Sequence, residues 1–186
     1  KDIKENLKKI LNIIHECIKE KSDLIITPEN TSIMSSDKKE LLSKLNVMED
    51  DIFLKEFKRV CKSNRKWIIL GSIIVKISKD TLVNRSILIN PNGDIEKFYD
   101  KIHMFDVKLS SSENYNESKL FQAGREIETV DLPWGRLGMS ICYDMRFPAM
   151  YRTMSQSGAK FFSVPSAFTE TTGKKHWHSL LKARAI

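Results

Sequence analysis

The chain has 186 residues, of which 41% are hydrophobic and 30% charged, with a formal net charge of +7. That length and balance are ordinary for one soluble globular domain with ample chain for a core, and no apolar run approaches the ~20 residues a membrane helix needs. Three cysteines, an odd number with no C-x-x-C pair, argue against a disulfide framework or a zinc ribbon and fit a reducing cytoplasm, with no signal peptide visible.

From Ile3 the apolar residues recur at Leu7, Ile10, Leu11, Ile14, Cys17 and Ile18, the spacing of a helix with one buried face. Asp23-Leu-Ile-Ile-Thr-Pro28 is a short apolar run ended by proline, the pattern of a strand buried on both faces, with Glu29 at its C-terminal end. Ile52, Phe53, Phe57, Val60 and Cys61 predict a second helix, and Trp67-Ile-Ile-Leu-Gly-Ser-Ile-Ile-Val75 a strand after it. Lys4, Lys8, Lys9, Lys19 and Lys21 fall mostly on the polar side of the first helix, and Lys55, Lys58 and Lys62 on that of the second. These are solvated faces rather than an Arg-rich stripe interleaved with aromatics, so no nucleic-acid partner is expected; nucleic-acid binding is the minor alternative. The positive field weakly favours anionic substrates.

Arg85-Ser-Ile-Leu-Ile-Asn90, the turn Pro91-Asn-Gly-Asp94 and the run 95–99 predict a hairpin, because Asn-Gly supplies the positive φ angles of a tight turn. Lys101 follows directly. Residues 110–118 form a polar loop, 128–132 and 136–141 a strand pair turning at Pro133-Trp-Gly135, 161–165 a further strand and 175–185 a final helix. The whole reads as one mixed α/β layer fold without repeat or linker.

Cys142 ends the apolar run Leu137-Gly-Met-Ser-Ile141 and precedes Tyr143-Asp-Met-Arg-Phe-Pro148. Pro148 suits the first turn of a helix and Gly158 the residue past its end, so 148–157 is expected to be a short helix. A thiol at a strand-to-helix turn is presented to a reacting group rather than buried as a small hydrophobe, the reading that fits Cys17 and Cys61 on helix faces. Glu29, Lys101 and Cys142 therefore occupy equivalent places, each at the end of a strand, where active sites gather.

Pro28-Glu29-Asn30, Tyr99-Asp-Lys101-Ile-His-Met-Phe105 and Ser140-Ile-Cys142-Tyr-Asp-Met-Arg146-Phe147 resemble the signatures of the nitrilase, or carbon-nitrogen hydrolase, superfamily. Asn116-Glu117-Ser118 followed by Phe121-Gln-Ala-Gly124 looks like the segment bearing that family's second glutamate. Pro165-Ser-Ala-Phe168 and Thr172-Gly-Lys-Lys-His-Trp177 resemble the Nit-type branch, whose members are amidases. The resemblance spans essentially the whole chain. It implies an αββα sandwich over residues 1–186, a homodimer or higher homo-oligomer, no cofactor, no metal and a small-molecule amide substrate.

It also implies roles. Cys142 attacks the amide carbon, Glu29 shuttles the proton, Lys101 and the Tyr143 N–H hold the oxyanion, and Glu117 orients Lys101. Lys101 is expected to favour the thiolate of Cys142. Thr172 is expected to touch substrate. Arg146 either pairs with Asp144 to shape the turn or grips a substrate carboxylate through its planar fork. The substrate is expected to be a carboxylate-bearing amide resembling deaminated glutathione or an ω-amide such as α-ketoglutaramate. The rival readings are a catalytically silent scaffold of the same fold and a metal-dependent hydrolase using His103, His176 and His178. His176 and His178 lie two apart on a predicted helix and face different directions, which disfavours a shared ion. The family's first strand and its C-terminal portion find no counterpart, so a domain incomplete at both ends is expected.

Overall fold

The Asp2 carboxylate accepts from the backbone N–H groups of Lys4 (2.8 Å) and Glu5 (3.2 Å), satisfying donors that every helix start leaves open. The helix so begun, α1 (Ile3–Lys19), carries the predicted apolar face, with Ile14 fully buried. These coordinates are a computed structural model that describes residues 2–111 and 113–186. The chain continues through β1 (Leu24–Ile26), α2 (Lys38–Lys44), α3 (Ile52–Asn64), β2 (Trp67–Lys76), β3 (Leu82–Ile89) and β4 (Ile95–Asp100). A small hairpin of β5 (Asp106–Lys108) and β6 (Asn114–Asn116) follows, then β7 (Thr129–Leu132), β8 (Gly135–Met139), α4 (Pro148–Gln156), β9 (Ala159–Ser163) and α5 (Glu170–Ala185).

One sheet has the order β1-β2-β3-β4, with β1 parallel to β2 and the rest antiparallel; the other has the order β7-β8-β9, with β8 parallel to β9. Successive strand residues point to opposite faces, and the core follows that alternation. Ile68 and Leu70 of β2, with Ile87 and Ile89 of β3, pack against Phe53, Phe57 and Val60 of α3 and the apolar face of α1. Ile69 and Leu88, on the other face, meet Val130, Leu132, Leu137 and Met139 of the second sheet. Met150, Tyr151 and Met154 of α4 cover the far side of that sheet. The order of layers is helix, sheet, sheet, helix, which is the expected αββα sandwich. A third cluster, Ile33, Leu41, Leu45, Ile74, Leu82 and Phe121, closes one end beside α2.

Several expectations shift in detail. β1 is an edge strand rather than one buried on both faces, and Ile26 is 46% exposed. β9 begins two residues before its predicted start, because its pairing with β8 runs from Ala159 to Ser163; the chain then turns so that the Pro165 carbonyl accepts from Cys142 N at 2.9 Å. α5 starts five residues early, where the Thr169 hydroxyl caps the Thr172 N–H at 3.4 Å. The polar loop 110–118 contains β6 and part of a 3-10 turn (Glu117–Lys119), while Ser112 lies outside the described residues. Among the described residues no helix is long and apolar enough to cross a membrane.

Candidate active site

Glu29 is placed by a close approach of two backbones. Ser72 N donates to Pro28 O (3.1 Å) and Thr31 N to Ser72 O (2.9 Å), so the turn after β1 lies against β2. A Cβ on Gly71 would stand 1.8 Å from Thr27 O and 2.7 Å from Pro28 O, so only glycine permits that approach. Lys101 is fixed in the same manner. Its N–H donates to Asn84 O (2.9 Å), its carbonyl accepts from Gly124 N (2.8 Å), and a Cβ on Gly124 would lie 2.1 Å from Asp100 O.

Cys142 begins a 3-10 turn (Cys142–Arg146) with φ of +46°, a left-handed conformation that a cysteine rarely adopts. Asp144, fully buried, holds this turn. Its Oδ2 accepts from Ile141 N (2.8 Å) and the Tyr99 hydroxyl (2.7 Å), and its Oδ1 from His103 N (3.0 Å). His103 Nδ1 stands 2.7 Å from the same Oδ1 and so carries the hydrogen, and the ring stacks on Phe147 at 3.6 Å. Asp144 therefore does not pair with Arg146. The Arg146 guanidinium instead lies 3.1 Å from His176 Nδ1 and over the rings of Tyr143 and Phe168.

The charged groups converge. Lys101 Nζ, 2% exposed, donates to Glu29 Oε1 (2.9 Å) and to Glu117 Oε1 (2.9 Å) and Oε2 (2.8 Å), which occupies all its N–H donors. Glu117 Oε2 also accepts from Phe105 N (2.7 Å), and Glu29 Oε2 from Ala167 N (2.8 Å). The pKa of the Cys142 thiol is pushed up to about 12, first by burial and then by the Glu29 charge, against the lowering pull of Lys101. Lys101 thus favours the thiolate as expected, while burial and the Glu29 charge oppose it. Burial works against the Lys101 ammonium, yet the Glu29 and Glu117 carboxylates outweigh it, and the group stays a cation with its pKa raised. Cys61, whose thiol burial also pushes up to about 12, has no such partners and is core.

These side chains line one cavity of about 800 Å³. Glu29, Lys101, Glu117, Cys142, Tyr143 and Thr172 all lie on its wall; Arg146 does not, standing behind Tyr143 and Phe168. Sequence reasoning missed Asn84, fully buried on β3, whose Nδ2 lies 3.1 Å from Glu29 Oε1 and 3.4 Å from Glu117 Oε1. Its signal was a lone amide inside an otherwise apolar strand. It also missed the Ala167 N–H and the Tyr99–Asp144–His103 support, for which only the tertiary arrangement carries a signal. Among the described residues no group of three or more His, Cys, Asp or Glu side chains is disposed to hold a metal ion.

An αββα sandwich with acid, ammonium and thiol gathered at its strand ends is the nitrilase-type architecture. The sequence profile of the carbon-nitrogen hydrolase family matches residues 1–186, and the chain belongs to that family. Deaminated glutathione amidase of Yersinia enterocolitica is 36% identical over 188 residues, covering 98% of this chain and 65% of the relative. Omega-amidase NIT3 of Saccharomyces cerevisiae is 31% identical over 187 residues, covering 97% and 64%. The crystal structure of the Caenorhabditis elegans NitFhit protein, a nitrilase and fragile histidine triad fusion, matches with a TM-score of 0.90 at 33% identity, covering all of this chain and 45% of that one. The chain thus spans just under two thirds of the length of these two amidases.

Proposed function

We propose that the chain forms the thiol active centre of an amidase that hydrolyses a carboxylate-bearing amide through a thioester on Cys142. The observation that carries this reading is the Lys101 ammonium hydrogen-bonded to both Glu29 and Glu117 at 2.8–2.9 Å beside the Cys142 thiol, at the wall of one cavity. The thiol, its pKa raised by burial and by the Glu29 charge, has Glu29 beside it to take its proton. As sulfur bonds to the amide carbon, the thiol proton passes to Glu29 and the carbonyl electrons move onto oxygen. Protonation discharges Glu29, which loosens its hold on one Lys101 N–H. That donor turns to the oxyanion together with the Tyr143 N–H, which has no acceptor among the described residues. A donor of this kind typically contributes ~2.7–4 kcal/mol to the barrier.

Glu29 then gives its proton to the amide nitrogen, the C–N bond breaks and ammonia or an amine leaves, with the acyl group held on sulfur. Glu29 next takes a proton from water, whose oxygen attacks the thioester; the C–S bond breaks and the sulfur recovers its proton. Glu117, bonded to Lys101 through both oxygens and to Phe105 N, keeps the ammonium aimed.

The cavity wall supports an anionic, amide-rich substrate. Asn30, Ser35, Asn114, Asn116 and Thr172 offer neutral polar groups, and Lys119 is the one cation there besides Lys101 among the described residues. A cavity of about 800 Å³ admits either a tripeptide-like amide of the deaminated-glutathione type or a smaller ω-amide. Ammonia or amine release from a panel of monoamides, run beside Cys142→Ala, tests the proposal. Release confined to carboxylate-bearing amides and lost in the variant supports it; equal release by both proteins, or none from any amide, refutes it.

A further inference from the structure

Asn84 lies fully buried on β3, between Val83 and Arg85, where an apolar residue is the default for an interior strand. Its side-chain nitrogen faces both carboxylates, at 3.1 Å from Glu29 and 3.4 Å from Glu117, while its backbone carbonyl accepts from Lys101 N at 2.9 Å. One residue thus touches all three charged members of the site. The orientation is unfavourable for the amide itself, because its Oδ1 is buried with no hydrogen-bond partner among the described residues, and an orphaned buried acceptor destabilises. Flipping the amide would set that oxygen against two carboxylates. Serving the carboxylates therefore outweighs satisfying the acceptor.

We propose that Asn84 is a positioning residue for the reaction: its two amide hydrogens tie Glu29 and Glu117 to the same side of the Lys101 ammonium, where Glu29 faces the thiol whose proton it receives. This rests on Glu29 being the proton acceptor of Cys142. The ionisable groups that face Glu29 are Lys101 from the end of β4, Cys142 from the end of β8, and Glu117 through the shared ammonium; the Ala167 N–H donates to its other oxygen. A donor to a carboxylate favours the anion, so removing it lets the acid hold its proton to higher pH.

The test is the alkylation of Cys142 by iodoacetamide from pH 4 to 7, below the range where the thiol ionises alone, in the wild type and in Asn84→Ala, Asn84→Asp and Glu29→Gln, with thermal melts alongside. No substrate is needed. In the wild type the rate climbs with pH to a level, and the midpoint belongs to the Cys142–Glu29 pair. In Asn84→Ala the midpoint moves up by about one pH unit, the effect of a lost hydrogen bond to a charged group. In Asn84→Asp, which keeps the shape but replaces the donor by a third carboxylate, it moves further still.

A space-filling role gives the opposite order, with the Asp variant like the wild type and the Ala variant changed only in melting temperature. That order, or unmoved midpoints in both variants, overturns the proposal; if the Asp variant does not fold, the Ala midpoint decides alone. Glu29→Gln separates the two levels of the argument. A midpoint that persists there removes Glu29 as the acceptor and refutes the functional reading, whereas one that vanishes there yet stays fixed in the Asn84 variants refutes this proposal alone.

Discussion

Replacing Glu29 by glutamine should make the thiol more ionised and the proposed amide hydrolysis slower at once. With its pKa pushed up to about 12, the Cys142 thiol is largely un-ionised at pH 8. Burial is the largest cause and the Glu29 charge the second, while Lys101 acts in the opposite direction. The substitution removes only the second. A unit charge about 4 Å away in an effective dielectric near 20 contributes at most about 4 kcal/mol, or roughly three pKa units. Burial persists and the site relaxes, so a fall of one to two units is expected, which is roughly ten to a hundred times more thiolate at pH 8. Amide hydrolysis, deprived of the proposed proton shuttle, should fall by about 10²–10⁴. Thiolate ultraviolet absorbance followed through alkaline pH gives the first quantity, ammonia release gives the second, and a thermal melt checks for loss of the bond to Ala167 N. A thiolate midpoint no lower than in the wild type, or hydrolysis retained, would refute the reasoning.

Lys101→Met keeps the volume but strands two carboxylates whose side chains are 4% and 12% exposed. A loss of about 3–5 kcal/mol is expected in denaturant melts at pH 8, together with slower labelling of Cys142, because Lys101 is what lowers the thiol's pKa. Asp144→Ala orphans the Tyr99 hydroxyl and the N–H groups of Ile141 and His103. It should cost about 3 kcal/mol or more in the same melts and lower kcat rather than raise KM, since it releases the turn that presents Cys142. Gly71→Ala drives a methyl to within 1.8 Å of Thr27 O, so β2 must part from the turn bearing Glu29; lower melting temperature and lost activity should appear together. Lys119→Ala, on the exposed rim of the cavity, should raise KM for a carboxylate-bearing amide about threefold to fivefold while leaving kcat and a neutral amide unchanged.

The sequence carried the layers because hydrophobic spacing is local. Ile3, Leu7, Ile10, Leu11 and Ile14 drew α1, and Asn92-Gly93 drew the β3–β4 hairpin, Gly93 having φ of +83°. It misjudged β9, whose limits are set by its parallel pairing with β8 and by Pro165 leaving to hold Cys142 N. α2, seven residues begun by Asp37, is too short to show periodicity, and β5 and β6 are three residues each. At the site, Glu29, Lys101, Glu117 and Cys142 were legible through motifs, and the structure brings them together. Three features were not. The raised thiol depends on burial that no motif encodes, Asp144 chose Tyr99 and His103 over its near neighbour Arg146, and Asn84 matters only because three distant segments close around it.

The central claim is a covalent one, and intact-protein mass spectrometry of acid-quenched turnover addresses it most directly. With a hydrolysed amide in excess, the account predicts an adduct of the acyl mass mapping to the peptide that contains Cys142, absent from Cys142→Ala. An unmodified protein throughout turnover, or continued hydrolysis by Cys142→Ala, would contradict it.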